Sequence, residues 1–291
     1  MLLIFFESRS LTSEVLQASA SRAPRFLSQS PAVADVDCPL FDNDISYKMD
    51  DGCAEIQIPA IGGDSTPLIL FHDGGGTVFN YCLLGPLKRP VYGIANPHFD
   101  SGEPWNDGMN GMAQQYVRYI ESTVFSGPIL LGGWSMGGML SLEVAHILST
   151  HPRLQVKGII LIDSPYPRLT PPDAVAATTV AVSNPEFAPS TRQEVRDKIL
   201  RSMKECRRLL ASWELPDWPA GTAPPPAMML RARDHTAPPG EAKLSHVDLA
   251  RDDELLGWAQ YPYDFIRESH TIPGAHFSVF RAQHVSINGE G

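Results

Sequence analysis

The chain has 291 residues, enough for one large single-core domain and slightly short of two full ones. Its 33 Asp and Glu outnumber 23 Lys and Arg, and the formal charge of −10 offers no overall attraction to a phosphate backbone, so no nucleic-acid partner is expected. The apolar start, residues 1–6, ends at Glu7 with no basic residue ahead of it, too soon for a signal sequence or a membrane span, and no later stretch reaches transmembrane length, so no membrane partner is expected. Cys38, Cys53, Cys82 and Cys206 follow neither a C-x-x-C metal spacing nor a dense disulfide framework. They are read as reduced thiols of a cytoplasmic protein, with no metal or cofactor expected.

Residues 8–51 are polar and broken, without a sustained period, and residues 1–51 are expected to form an N-terminal arm ahead of one domain spanning 52–291. Beyond the arm the pattern tightens. CAEIQIPAI (53–61) alternates as a half-exposed strand does, while PLILF (67–71), PVYGIA (90–95), PILLGGW (128–134) and KGIILID (157–163) are short apolar runs bounded by turn residues, the mark of strands buried on both faces. Between them, residues 112–124 and 136–149 have helical spacing, with Met112, Tyr116, Tyr119 and Ile120 on one face and Met139, Leu142, Val144 and Ile147 on the other helix. Strands alternating with helices predict an α/β architecture with a mainly parallel sheet and right-handed crossovers.

The alternation stops at about Pro165 and returns at AMMLRARD (227–234). Proline concentrates at 165–172, 216–226 and 238–239, which marks long irregular loops. The intervening segment, about 165–222, holds a single clear helix at 191–212 and reads as a lid insertion. ESHTIPGAHFSVF (268–280) supplies a last strand, a turn at Pro273–Gly274 and a short closing helix.

The strongest motif is Gly133-Trp134-Ser135-Met136-Gly137, a G-x-S-x-G placed where strand 128–134 meets the helix from 136. In such an elbow the serine takes a strained backbone conformation at the carboxyl edge of the sheet, and the glycines are needed because a Cβ there would strike a neighbouring element. The hydroxyl is presented as a nucleophile beside a helix N-terminus, with the Met136 N–H free for an oxyanion. That combination predicts an α/β-hydrolase. A second oxyanion donor is expected from the loop after strand 67–71, in His72-Asp73-Gly74-Gly75-Gly76, at the backbone of Asp73 or Gly74. No G-K-S/T follows these glycines, so the loop is not a phosphate cradle, and His72 is read as a packed, loop-orienting residue.

On this fold the chain order is serine, acid, histidine, which puts the base late. His276 follows the last strand, where a loop swings an imidazole over the elbow; His270 lies inside that strand and His284 in the polar tail. Two aspartates compete to orient the base, Asp163 at the end of KGIILID and Asp234 at the end of AMMLRARD, and both also suit a turn start.

The chain resembles the thioesterase domains that end fungal non-reducing polyketide synthases, and the stand-alone thioesterases related to them. The matching stretches are LILFHDGGGTVFNY (68–81), VYGIANPHF (91–99), GPILLGGWSMGG (127–138), GIILIDSPYP (158–167) and residues 251–280. The resemblance implies that Asp163 is the acid, that His276 in G-x-H-F is the base, and that the substrate is a polyketide acyl chain on the phosphopantetheine thioester of a synthase's acyl-carrier domain, served in trans. Two positions depart from the family pattern: His72-Asp73-Gly74-Gly75-Gly76 stands where P-D-G-S-G is usual, and Met136 where Ala is frequent.

The expected chemistry is acyl transfer through a Ser135 acyl-enzyme, resolved by water, a hydroxyl or an enolate carbon. An esterase or lipase would use the same residues on oxygen esters, and a non-catalytic receptor on this fold would commonly have lost one of them. Trp213, Trp218 and Trp258 are candidates for an acyl pocket or for core packing. The lid helix places Val195, Ile199, Met203, Cys206 and Leu210 on one face, while seven Lys and Arg against three acids on its other faces offer either a docking patch for an acidic carrier or an ordinary solvated surface.

Overall fold

The computed structural model describes residues 52–58, 66–169, 180–236 and 244–281. The expected N-terminal arm, Cys38, the Pro238–Pro239 pair and His284 lie outside the described residues. A seven-stranded sheet runs in the order β1-β3-β2-β4-β5-β7-β9, made of β1 (Ala54–Gln57), β2 (Leu68–Phe71), β3 (Val91–Ile94), β4 (Gly127–Trp134), β5 (Leu154–Ile162), β7 (Ala227–Asp234) and β9 (Ile266–Ala275). Only β1 is antiparallel to its neighbour; β2 to β9 pair in parallel. Two further short strands, β6 (Val180–Ala181) and β8 (Leu244–Ser245), pair with each other outside this sheet.

The two-residue period of the buried runs sorts their side chains onto two cores. Ile69, Phe71, Ile129, Leu131, Ile159 and Leu161 face one core with helices α1 (Gly108–Thr123) and α2 (Met136–Ile147). Leu68, Leu70, Trp134, Ile160 and Ile162 face the other, closed by Tyr81, Leu84, Val279 and Phe280. Helix α1 buries Met112, Tyr116, Tyr119 and Ile120 as its period predicts. Helix α2 is buried at every residue from Met136 to Ala145, so it runs through the core rather than over it.

Two expectations are corrected. Pro273 and Gly274 do not form a turn: β9 runs through them to Ala275, and the irregularity appears as a register shift against β7 between Ala232 and Asp234, with Gly274 at φ +95. Cys82 is disulfide-bonded, against the expectation of four reduced thiols, whereas Cys53 and Cys206 are free. No helix among the described residues is long and apolar enough to cross a membrane.

Between β5 and β7, helix α3 (Gln193–Ser212) lies across the Gly-rich loop after β2. A Cβ on Gly74 would stand 3.1 Å from Cys206 Sγ, one on Gly75 3.4 Å from Ile199, and one on Gly76 2.6 Å from Ser202 Oγ. Three glycines therefore let a helix rest on this loop. The helix is fastened on its other side: Arg201 donates to the carbonyls of Phe99 and Asp100 at 2.9 Å each, Arg208 to the carbonyl of Trp105 at 2.8 Å, and the Trp105 N–H to Glu205 at 2.9 Å. Lys198 pairs with Asp100 and Glu194. Much of the helix's cationic surface is thus spent within the fold. The three tryptophans are core: the indole N–H of Trp213 donates to Glu143, that of Trp218 to Tyr261, and that of Trp258 to the Ser164 carbonyl.

Candidate active site

Ser135 stands between β4 and α2 at φ 56, ψ −118, the left-handed elbow expected of it. The flanking glycines are required by close approach: a Cβ on Gly133 would lie 2.6 Å from the Gly137 carbonyl carbon, and one on Gly137 would collide with the Phe71 carbonyl. The elbow is tied to β2 by Tyr81, whose hydroxyl donates to the Phe71 carbonyl at 2.6 Å and accepts from the Trp134 N–H at 2.8 Å.

Asp163 also has positive φ, at 43, directly beyond β5, and its N–H is anchored to the Leu230 carbonyl at 2.8 Å. His276 opens the short closing turn His276–Ser278, which Ser278 holds by accepting from the Ala275 N–H at 2.9 Å. Its ring lies between Trp134 and Phe277, with centroids at 5.5 and 4.8 Å. The structure brings the three predicted residues together: His276 Nε2 is 3.1 Å from Ser135 Oγ, and His276 Nδ1 is 2.7 Å from Asp163 Oδ2. Asp163 and His276 are buried and Ser135 is half-buried. With Nδ1–H donating to the carboxylate, Nε2 is left to accept the serine proton.

The competitors lie elsewhere. Asp234 is exposed at the end of β7 and paired with Arg233, and His270 sits inside β9 near Glu268. Burial opposes ionisation of Asp163, but the hydrogen bond and charge of His276 and those of Arg251 outweigh it and hold the carboxyl well below the usual range.

Met136 is the first residue of α2, so its N–H has no acceptor within the helix, and its side chain is buried in the core. The facing loop turns tightly, with Gly76 N–H donating to the Asp73 carbonyl at 3.1 Å and Gly75 N–H to Asp73 Oδ1 at 3.0 Å. The Gly74 N–H donates to no backbone carbonyl among the described residues. His72 is buried between the Asp73 carbonyl (2.6 Å) and the Tyr116 hydroxyl (2.7 Å); burial pushes it down to about 4, so it stays neutral and orients the loop, as expected. Burial pushes the Asp73 carboxyl up to about 7, with the loop's N–H groups offsetting part of the cost.

Two residues escape a reading of the sequence. One is Tyr81, described above. The other is Arg251, whose side chain is fully buried and forks onto Asp163, with Nη2 2.9 Å from Oδ2 and Nη1 on Oδ1, while its Nε donates to Asp248 at 3.1 Å. The available signal for Arg251 is its place at the head of the family-like run 251–280; nothing in its polar surroundings predicts burial.

A mainly parallel sheet with a serine at the elbow after β4 and a histidine beyond the last strand defines an enzyme of the α/β-hydrolase fold. The comparisons narrow this. The family model described as Thioesterase domain matches residues 66–291, and the chain belongs to that family of hydrolases. Thioesterase frbE of Dothideomycetidae sp. (strain 11243) is 37% identical over 235 residues, covering 78% of this chain and 88% of the relative. Thioesterase AMT4 of Alternaria alternata is 34% identical over 221 residues, covering 75% and 80%. Among solved structures, the NocB thioesterase domain from the nocardicin cluster superposes with a TM-score of 0.55 at 22% identity, over 77% of this chain and 90% of that one, a likeness of fold. The four-domain nonribosomal peptide synthetase AB3403 matches with a TM-score of 0.54 at 23% identity, over 80% of this chain and 19% of that one.

Proposed function

We propose that this thioesterase works through a Ser135 acyl-enzyme, taking a polyketide acyl chain in trans from the phosphopantetheine thioester of a synthase's acyl-carrier domain. The observation that carries the reading is the continuous hydrogen-bonded line from Ser135 Oγ through His276 to Asp163 at the elbow. As Oγ attacks the thioester carbonyl, its proton passes to His276 Nε2, while Asp163 remains ionised and fixes the Nδ1–H tautomer. The N–H groups of Met136 and of the Asp73–Gly74 turn take the oxyanion. Collapse breaks the C–S bond, the thiolate leaves with the His276 proton, and an ester to Ser135 remains. His276 then deprotonates the second nucleophile, and water, a substrate hydroxyl or an enolate carbon gives acid, lactone or ester, or a carbon ring. Helix α3 is the roof of this lid, and the side chains it sets over the loop govern which nucleophile enters.

The test is intact-mass analysis of the protein mixed with an acyl-carrier domain bearing an acyl thioester. A covalent adduct on Ser135 is expected, and Ser135→Ala and His276→Ala should each lower kcat by about 10³-fold or more with the fold intact. Turnover within tenfold of wild type in either variant would refute the assignment.

A further inference from the structure

We propose that Arg251 is a positioning residue for acyl transfer: it sets the angle at which Asp163 meets His276 and the pH above which His276 is free to act as base. The proposal rests on the acyl-enzyme reading above. Every N–H of this guanidinium has an acceptor inside the protein. Nε donates to Asp248, Nη1 to Asp163 Oδ1 and the Ala232 carbonyl, and Nη2 to Asp163 Oδ2 and the Val247 carbonyl. With the Ala232 N–H also donating to Asp163 Oδ1 at 2.7 Å, the carboxylate is held at both oxygens and only one lone-pair direction of Oδ2 is left for the imidazole. The aspartate cannot swing without breaking the fork.

The second consequence is electrostatic. Asp163, Asp248 and Arg251 all have fully buried side chains, so their charges act on one another with little screening. Among the described residues, Arg251 supplies the permanent cation on Asp163. The other titratable groups in touch with this cluster are His246, from the turn beside Asp248, with Arg207 of α3 acting on it, and Arg231 from β7. Burial first, and then the charges of His276 and Arg207, disfavour protonation of His246. Arg231 donates to the Arg251 carbonyl. Arg251 therefore disfavours a second positive charge on the His276 ring, and Asp248 favours one. Removing Arg251 leaves Asp163 on the ring, and Asp248 behind it, with no permanent cation between them, and so stabilises the imidazolium. Removing the charge of Asp248 does the reverse.

The measurement is the rate of Ser135 phosphonylation by an alkyl fluorophosphonate as a function of pH, followed by intact mass, in which Oγ displaces fluoride at phosphorus and His276 takes the hydroxyl proton. In Arg251→Met, labelling should slow by about tenfold to a hundredfold and its acid limb should move up by about one pH unit. Arg251→Lys, which keeps the charge and loses the fork, should return the limb toward wild type while staying slow. Asp248→Asn, of nearly the same shape, should move the limb down, and it carries the test if Arg251→Met fails to fold. A general loosening of the site would shift no limb, or all in one direction, and either result overturns this role. Labelling absent from wild type, or equal in Ser135→Ala, would instead overturn the acyl-enzyme reading and this role with it.

Discussion

The hydroxyl of Tyr81 is the bond between the sheet and the elbow, and its removal has a calculable cost. Tyr81→Phe keeps the ring and its edge contact with Phe280, at 5.7 Å between centroids, so packing is conserved. What is lost is the donor to the Phe71 carbonyl and the acceptor for the Trp134 N–H, at residues where Phe71 and Tyr81 are shut off from water and Trp134 is 5% exposed. Each buried backbone group deprived of its partner costs about 1–3 kcal/mol, so with two such groups the variant should lose about 2–6 kcal/mol. At about 2–4 °C per kcal/mol for a domain of this size, the midpoint should fall by at least about 4 °C and by as much as about 24 °C. Urea denaturation followed by intrinsic fluorescence gives the free energy, and calorimetry the midpoint. Because the Trp134 N–H adjoins the nucleophile, acyl transfer should also slow, through kcat. A loss below about 0.5 kcal/mol with full activity would refute the reasoning, since it would mean that water or a shifted backbone replaces both bonds at no cost.

Two further outcomes follow from the titrating groups. Burial raises the Asp73 carboxyl from 3.8 to about 7, so the native state holds its proton more tightly than the unfolded chain; that contribution is complete below about pH 4 and is lost as pH rises through about 7. Asp73→Asn, which cannot ionise, should therefore gain on wild type by about 2–3 kcal/mol between about pH 5 and about pH 8 in urea unfolding; parallel curves would contradict it. Asp163→Asn should lower kcat by about 10³–10⁴-fold by favouring the wrong imidazole tautomer, whereas Asp234→Asn, at an exposed position paired with Arg233, should stay within about threefold. The reverse order in steady-state kinetics would relocate the acid.

Much of this was legible because the buried strands carry their own signature. LILF, PILLGGW and KGIILID are apolar on both faces, and the glycines around Ser135 announce a close approach that the carbonyls of Phe71 and His72 supply. His276 was legible from its place beyond the last strand, while Asp163 and Asp234 were indistinguishable by position, since the positive φ that turns Asp163 inward has no local cause in its sequence. Arg251 was hidden for a different reason. Its neighbours Asp252, Asp253 and Glu254 read as solvated loop and are exposed, and Asp163, 88 residues earlier in the chain, together with the buried Asp248, draws one arginine inside. Pro273–Gly274 misled because parallel pairing with β7 absorbs the pair as a strand irregularity. The charges of α3 looked available because a sequence does not show main-chain carbonyls, and those of Phe99, Asp100 and Trp105 are what Arg201 and Arg208 meet.

That last fastening has an evolutionary reading. Arg201 and Arg208 grip carbonyl oxygens and Glu205 grips an N–H, so these bonds ask nothing of the side chains along residues 99–105 except at Gly102, where a Cβ would strike Arg201. The exposed positions Ser101, Glu103 and Pro104 are therefore free to change bulk and polarity from one descendant to the next, while buried Phe99 and Trp105 stay and the helix above keeps its seat. A lineage that diversifies its substrates has in this arrangement a face that can be rewritten without reopening the question of how the roof is held.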